Sequence, residues 1–178
     1  MRIAEPIHHE SEPATGDLPP ILSATLREYA AQGDLDSVRL AIKRGTKIDS
    51  ADDAGETSLM LASFSGHVAV MQVLLEQGAD VDARNSAGRT PLMHAASGPY
   101  PEAVRLLLSA RANIDAQDSV EGFTALMFAA AEGQTDVVRT LLQHGAATEL
   151  KDVDGDTARS FAMKNGHAAV VGLLPVPQ

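Results

Sequence analysis

The residues of this chain best equipped for chemistry are carboxylates and imidazoles. Asp152, Asp154 and Asp156 alternate in the run "DVDGD", a spacing that lets one loop offer several oxygens to calcium. An EF-hand loop also requires glycine at its sixth position and glutamate at its twelfth; those positions here hold Thr157 and Met163. The run is therefore expected to be an acidic turn made of turn-favouring residues. His8, His9 and Glu10 are zinc-ligand types, but they stand in a polar, proline-containing stretch with no partner at helical or strand spacing. A solvated leader is the expectation for such a composition. There is no cysteine, so no thiolate nucleophile or ligand, and no G-x-S-x-G nucleophile elbow. Among the remaining imidazoles, His144 precedes a helix-ending glycine, where it can face the negative end of a helix dipole, and His94 has no evident structural task.

The elements that would position these groups follow from a repeat. Gly55, Gly88, Gly122 and Gly155 recur at intervals of 33, 34 and 33 residues, and Thr57, Thr90, Thr124 and Thr157 follow each by two. Such a period marks a stacked array whose units cannot bury enough surface alone. Five units are read at about 21–51, 52–84, 85–118, 119–151 and 152–174, after a polar leader at 1–20 and before a tail at 175–178. Each unit begins with a tight turn needing a glycine at positive φ and continues with a threonine able to cap a helix. A short helix with a slim alanine face follows, as in "RTPLMHAASG" with Pro91 at its first position. A second helix, as in "TDVVRTLLQHG", runs to a glycine stop, and Leu74, Leu75, Leu107, Leu108, Leu141 and Leu142 are expected to pack units together. In the fifth unit Arg159 and Ser160 replace apolar residues of the other copies, as a capping repeat requires.

Composition narrows the function. Of the 178 residues 44% are hydrophobic, but only 3% are aromatic and there is no Trp, which suits closely spaced helices built from Ala, Leu, Val and Met. The formal charge of −10 argues against nucleic acid, whose phosphates are bound by clustered Lys and Arg. It favours a basic or mixed-charge protein partner, chiefly through the association rate. No stretch approaches the ~18 apolar residues of a membrane span, and the start "MRIAEPIHHESEP" lacks the apolar run of a secretory signal. A cytoplasmic monomer is expected.

The recurring pattern G-x-T-P-L, then A-A-x-x-G-H, V-x-x-L-L and G-A-D resembles the ankyrin repeat over residues 21 to 174. That resemblance implies an all-α solenoid of helix pairs with protruding finger loops, and a binding role for the face formed by fingers and first helices. The family's His after T-P-L is replaced by Met60, Met93 and Met127, which removes its turn-bridging imidazole. His67 and His167 occupy the family's G-H position. The family's Asn in the G-A-D-V-N stretch becomes Asp49, Asp82, Asp115 and Glu149. "GPYP" replaces G-H in the third unit, and an extra residue near Ser119 and Val120 lengthens one finger.

Carrying the family geometry over, the partner-facing candidates are Asp53, Glu56, Phe64, Arg89, Tyr100, Val120, Glu121, Phe123, Glu132, Asp154 and Asp156. Phe64, Tyr100 and Phe123 draw attention because aromatic anchors dominate interface energies. The expected function is a non-enzymatic module that binds a folded protein, with inhibition of or protection against an enzyme as one form of it; no cofactor is implied. Two competing readings are a metal-dependent or enzymatic protein using His94, His8 and His9, and a self-associating scaffold.

Overall fold

The computed structural model describes residues 21–176. His8, His9 and Glu10 lie outside them, as does the whole of the proposed leader at 1–20. The described residues form ten helices in five pairs: α1 (Ile21–Gln32) with α2 (Leu35–Lys43), α3 (Ser58–Phe64) with α4 (Val68–Glu76), α5 (Pro91–Ser97) with α6 (Pro101–Ser109), α7 (Ala125–Ala131) with α8 (Thr135–Gln143), and α9 (Ala158–Lys164) with α10 (Ala168–Leu173). Among the described residues there is no strand. First helices stack on first helices and second on second, so the chain is an all-α solenoid of two helical layers.

Small side chains set the spacing of the inner layer. Ala62, Ala95, Ala129 and Ala162 are fully buried at equivalent positions of α3, α5, α7 and α9, which lets the backbones approach closely. Leu59, Leu92 and Leu126 add bulk between them, and the equivalent Arg159 of α9 instead donates from Nη1 to the carbonyls of Val171 and Leu174, each at 2.6 Å. The polar replacement thus ties down the C-terminal end of α10. In the outer layer Leu74, Leu107 and Leu141 are fully buried, whereas Leu75, Leu108 and Leu142 are only half-buried against them. Truncating one of the first three to Ala costs about 2–5 kcal/mol in comparable cores.

Each inner helix from α3 onward opens with the same cap. The hydroxyls of Thr57, Thr90, Thr124 and Thr157 accept from the backbone N–H groups of Met60, Met93, Met127 and Ser160 at 3.2–3.4 Å, satisfying one of the unpaired donors of a helix start. The reciprocal bond is unusual in its acceptor. The N–H groups of Thr57, Thr90 and Thr124 each donate to the Sδ of the methionine three residues on, at 3.5 Å. Methionine, which stands where the family has histidine, closes a capping box through its thioether, a weak acceptor.

Imidazole and phenol rings at the start of the second helices link successive units. His67 Nε2 lies 3.1 Å from the Ala31 carbonyl and His167 Nε2 lies 2.9 Å from the Ala131 carbonyl. In the third unit Tyr100 takes this place, and its ring lies so close over Gly66 and Gly98 that a Cβ at either would meet it at 2.3–2.4 Å. His144 Nδ1 is 2.8 Å from the Thr140 carbonyl in the last turn of α8, in keeping with a place at a helix C-terminus.

Candidate functional site

The fingers preceding α3, α5, α7 and α9 are built on one side chain each. Asp52, Asn85 and Asp152 accept through Oδ1 from the N–H groups two and four residues on, at 2.7–3.0 Å. Asp118 does the same in the fourth unit, but accepts from Val120, Glu121, Gly122 and Phe123 at 2.9–3.4 Å. Its finger closes by Asp118 N–H to the Phe123 carbonyl, one residue wider than Asn85 to Arg89. The extra residue therefore sits inside the turn, and the fourth finger opens at Asp118 rather than at Ser119. Neighbouring fingers are joined by backbone bonds from Ser86 to Ala54, Ser119 to Ala87 and Val153 to Glu121, at 2.8–2.9 Å.

At the finger bases and along the inner helices the side chains that differ between units come together. Glu56, Arg89, Phe123 and Asp156 occupy one repeat position; His94, Phe128 and Phe161 follow the capping residue in α5, α7 and α9; Phe64 and Lys164 end α3 and α9. The chain has four phenylalanines, and all four lie in this band; none is in the buried core. Phe123 meets Phe128 and Phe161 edge-on, with centroids 5.4 and 4.8 Å apart. The Arg89 guanidinium stands 5.0 Å over the Phe128 ring, and the Lys164 ammonium 5.9 Å over Phe161. Lys164 is also paired with Asp156, and that hydrogen bond holds its ammonium above the ordinary lysine range.

A polar cluster adjoins the rings. Glu56 receives Asn85 Nδ2 at Oε1, 2.7 Å, while its Oε2 faces His94 Nε2 at 3.3 Å. Arg89 Nε faces Asp118 Oδ2 at 3.6 Å, and the Asp118 side chain is 0% exposed. These four atoms, Glu56 Oε2, His94 Nε2, Arg89 Nε and Asp118 Oδ2, are buried without an aligned hydrogen bond. Burial lowers the His94 pKa most; Glu56 opposes that shift and Arg89 adds to it. The ring of His94 packs edge-on to Phe64, 6.2 Å between centroids.

The sequence-derived candidates separate into three groups. Glu56, Phe64, Arg89, Phe123 and Asp156 meet in this band. Asp53, Val120, Glu121 and Asp154 are exposed on the fingers, and Glu132 is exposed at the end of α7. Tyr100 stands apart, at the start of α6, with its ring covering two glycines between units. Sequence reasoning missed Asp118, Phe128 and Phe161. The signals existed: Asp118 stands where Asp52, Asn85 and Asp152 stand once the inserted residue is counted, and Phe128 and Phe161 share a repeat position with His94. Asp49, Asp82 and Asp115 accept backbone N–H groups from Asp80, Asn113 and Ala147 of the following unit, at 2.9–3.2 Å. Their carboxylates do what an amide oxygen could do there; for Glu149 no such bond is seen.

Among the described residues no group of three or more His, Cys, Asp or Glu side chains is arranged to hold a metal ion. No described helix is long and apolar enough to cross a membrane.

A solenoid of paired helices with linked fingers defines a class of repeat protein, and the family comparison agrees with it. The model for ankyrin repeats, described as three copies, matches residues 26–118 and 100–175, and the chain belongs to the ankyrin repeat family. Ankyrin repeats generally mediate protein–protein interaction and are typically non-enzymatic. The chain is similar to ankyrin repeat family A protein 2 of Homo sapiens, 49% identical over 47 residues, which is 26% of this chain and 15% of that protein. It is also similar to potassium channel AKT3 of Oryza sativa subsp. japonica, 44% identical over 48 residues, 27% of this chain and 5% of the channel. A third similarity is to FYVE zinc finger domain protein UPA1 of Mycosarcoma maydis, 44% identical over 54 residues, 30% of this chain and 4% of that protein. The chain thus spans a small part of each of these relatives.

Proposed function

We propose that the chain is a binding module that takes a folded protein partner against its fingers and inner helices, and that it acts by occluding that partner's surface, as an inhibitor of an enzyme would. One observation carries this reading. All four phenylalanines lie in a single band outside the fully buried core, Phe64 exposed and Phe123, Phe128 and Phe161 partly buried against that core, and partly exposed aromatic area gathered in one place suits binding. The exposed carboxylates of Asp53, Glu121, Glu132 and Asp154 make no ion pair among the described residues, which suits a basic or mixed-charge partner and a salt-sensitive association rate. His94, the candidate for an alternative metal or enzymatic role, packs edge-on to Phe64 and faces Glu56 Oε2 at 3.3 Å.

The test is affinity capture of partners from the native source, repeated with Phe64→Ala, Phe123→Ala and Glu121→Ala. Recovery of the same partner in the same amount from all three variants would rule out this face. An enzyme among the captured partners, assayed with and without the chain, tests the inhibitory form of the role.

A further inference from the structure

The second half of α2 and the turn after it hold Arg39, Lys43, Arg44 and Lys47, with no acidic residue among positions 39–47. A chain of net charge −10 thus presents a positive edge in its first unit. All four side chains are exposed, and among the described residues none of them forms an ion pair or a side-chain hydrogen bond. Cations elsewhere are engaged: Arg105, Arg139 and Lys164 by carboxylates, Arg27, Arg84 and Arg159 by backbone carbonyls. Arg39 and Lys43 line an open cleft of about 350 Å³ between α2 and α4, together with Ile42, Val73, Glu76 and Gln77. The carboxylate of Glu76 accepts from Gln72 Nε2 at 3.0 Å and pairs with neither cation. Arg27 Nη1 of α1 donates at 3.1 Å to the Ser50 carbonyl, beyond the end of α2, so the chain enters α1 beside the end of α2 that carries these charges.

We infer that the leader, residues 1–20, docks on this positive edge, with Glu5, Glu10 and Glu12 set against Arg39, Lys43 and Arg44 and Ile7 supplying apolar surface for Ile42 and Val73. The leader carries Glu5, Glu10, Glu12 and Asp17 against Arg2 alone, the sign that complements the edge and is repelled by the acidic fingers. Glu12 and Glu10 stand 9 and 11 residues before Ile21, a reach of up to about 30–40 Å, whereas the nine residues of α2 span only about 14 Å. Each exposed ion pair is worth little, but a tethered segment meets its site at an effective concentration in the millimolar range, so a few weak pairs suffice. Pro6, Pro13, Pro19 and Pro20 narrow the choices of the free segment, and less entropy is lost when it docks. The leader is then a strap over the outer helical layer, in place of the wholly solvated segment its composition suggests. The strap is separate from the fingers and inner helices, so this inference goes beyond the binding role and stands or falls apart from it.

The chain has no cysteine, so Ser11→Cys gives a single site for a nitroxide between Glu10 and Glu12. In the full chain at low salt, paramagnetic broadening of amide signals is expected at residues 39–47 and 73–77. A tether alone also broadens signals close to Ile21, so the charge dependence decides. Glu5→Gln, Glu10→Gln and Glu12→Gln together are expected to lower the ratio of docked to free leader about tenfold, and Arg39→Gln, Lys43→Gln and Arg44→Gln together to lower it comparably. Exchanging the charges, with Lys at 5, 10 and 12 and Glu at 39, 43 and 44, should restore the broadening. The leader substitutions change no residue of the described helices, and circular dichroism checks the helix substitutions. Broadening at 39–47 and 73–77 that is undiminished by the neutralised leader would overturn the inference. Broadening confined to residues close to Ile21, or centred on the fingers, would overturn it as well, and in neither case is the proposed binding face affected, since capture by Phe64→Ala and Phe123→Ala is read independently.

Discussion

Arg89 and Asp118 bind two units together from opposite sides of one finger: Asp118 Oδ1 gathers the N–H groups of its own turn, and Oδ2 faces Arg89 Nε of the preceding unit at 3.6 Å. Replacing Asp118 by Ala leaves the turn amides without their acceptor and removes the buried counter-charge, at a cost of about 1–3 kcal/mol. Asp118→Asn keeps an acceptor and should be milder. Urea unfolding orders the two variants, and amide exchange at residues 120–123 should quicken in the alanine variant first.

Gly66 and Gly78 separate two costs that glycine substitutions usually mix. Both have positive φ, +70° and +85°, but a Cβ on Gly66 would meet the Tyr100 ring at 2.3 Å, whereas one on Gly78 meets nothing within 4 Å. Gly78→Ala should cost about 1–2 kcal/mol for the left-handed backbone alone. Gly66→Ala carries that cost and an overpacking penalty of about 1–3 kcal/mol. Thermal unfolding should place Gly66→Ala clearly below Gly78→Ala, and equal midpoints would mean that the Tyr100 ring yields freely.

His94 makes stability depend on pH with a definite sign. Its folded pKa is depressed, chiefly by burial, with Glu56 opposing and Arg89 reinforcing, so the unfolded chain takes up the proton more readily. Stability is full above the unfolded histidine value of about 6.5 and falls as pH drops from there toward the folded pKa. His94→Gln removes this contribution. Unfolding midpoints measured from neutral into mildly acidic solution should therefore fall less steeply for His94→Gln than for the parent chain.

Thr124 tests the thioether-closed caps. Thr124→Ala removes the acceptor for the Met127 N–H and should cost about 1 kcal/mol. Met127→Leu keeps the volume but leaves the Thr124 N–H without its sulfur partner, and is expected to cost less than about 1.5 kcal/mol. Denaturant unfolding of both and of the double variant gives their coupling.

The scaffold was legible because its determinants are local and periodic. Gly55 and Thr57 specify a turn and a cap by their own backbone and hydroxyl chemistry, and Leu74 recurs in Leu107 and Leu141 at the buried seam. The band was only partly legible. Phe64 and Arg89 could be placed by period, but the pairing of Arg89 with Asp118 joins side chains from different units, and an inserted residue shifts the apparent register just there. Tyr100 looked like an anchor by residue type. Its ring lies instead over Gly66 and Gly98, a contact that depends on the height of one helix pair above the next, which no spacing within a unit encodes.

The hydrogen bonds that run from finger to finger, Ser86 to Ala54, Ser119 to Ala87 and Val153 to Glu121, give the fingers a mechanical property. They form a comb whose teeth are tied at their tips, so one tooth cannot tilt without pulling on the next or breaking a bond. A load on the second finger is therefore passed along to the fifth, and the row of fingers keeps a common pitch although its side chains vary from tooth to tooth.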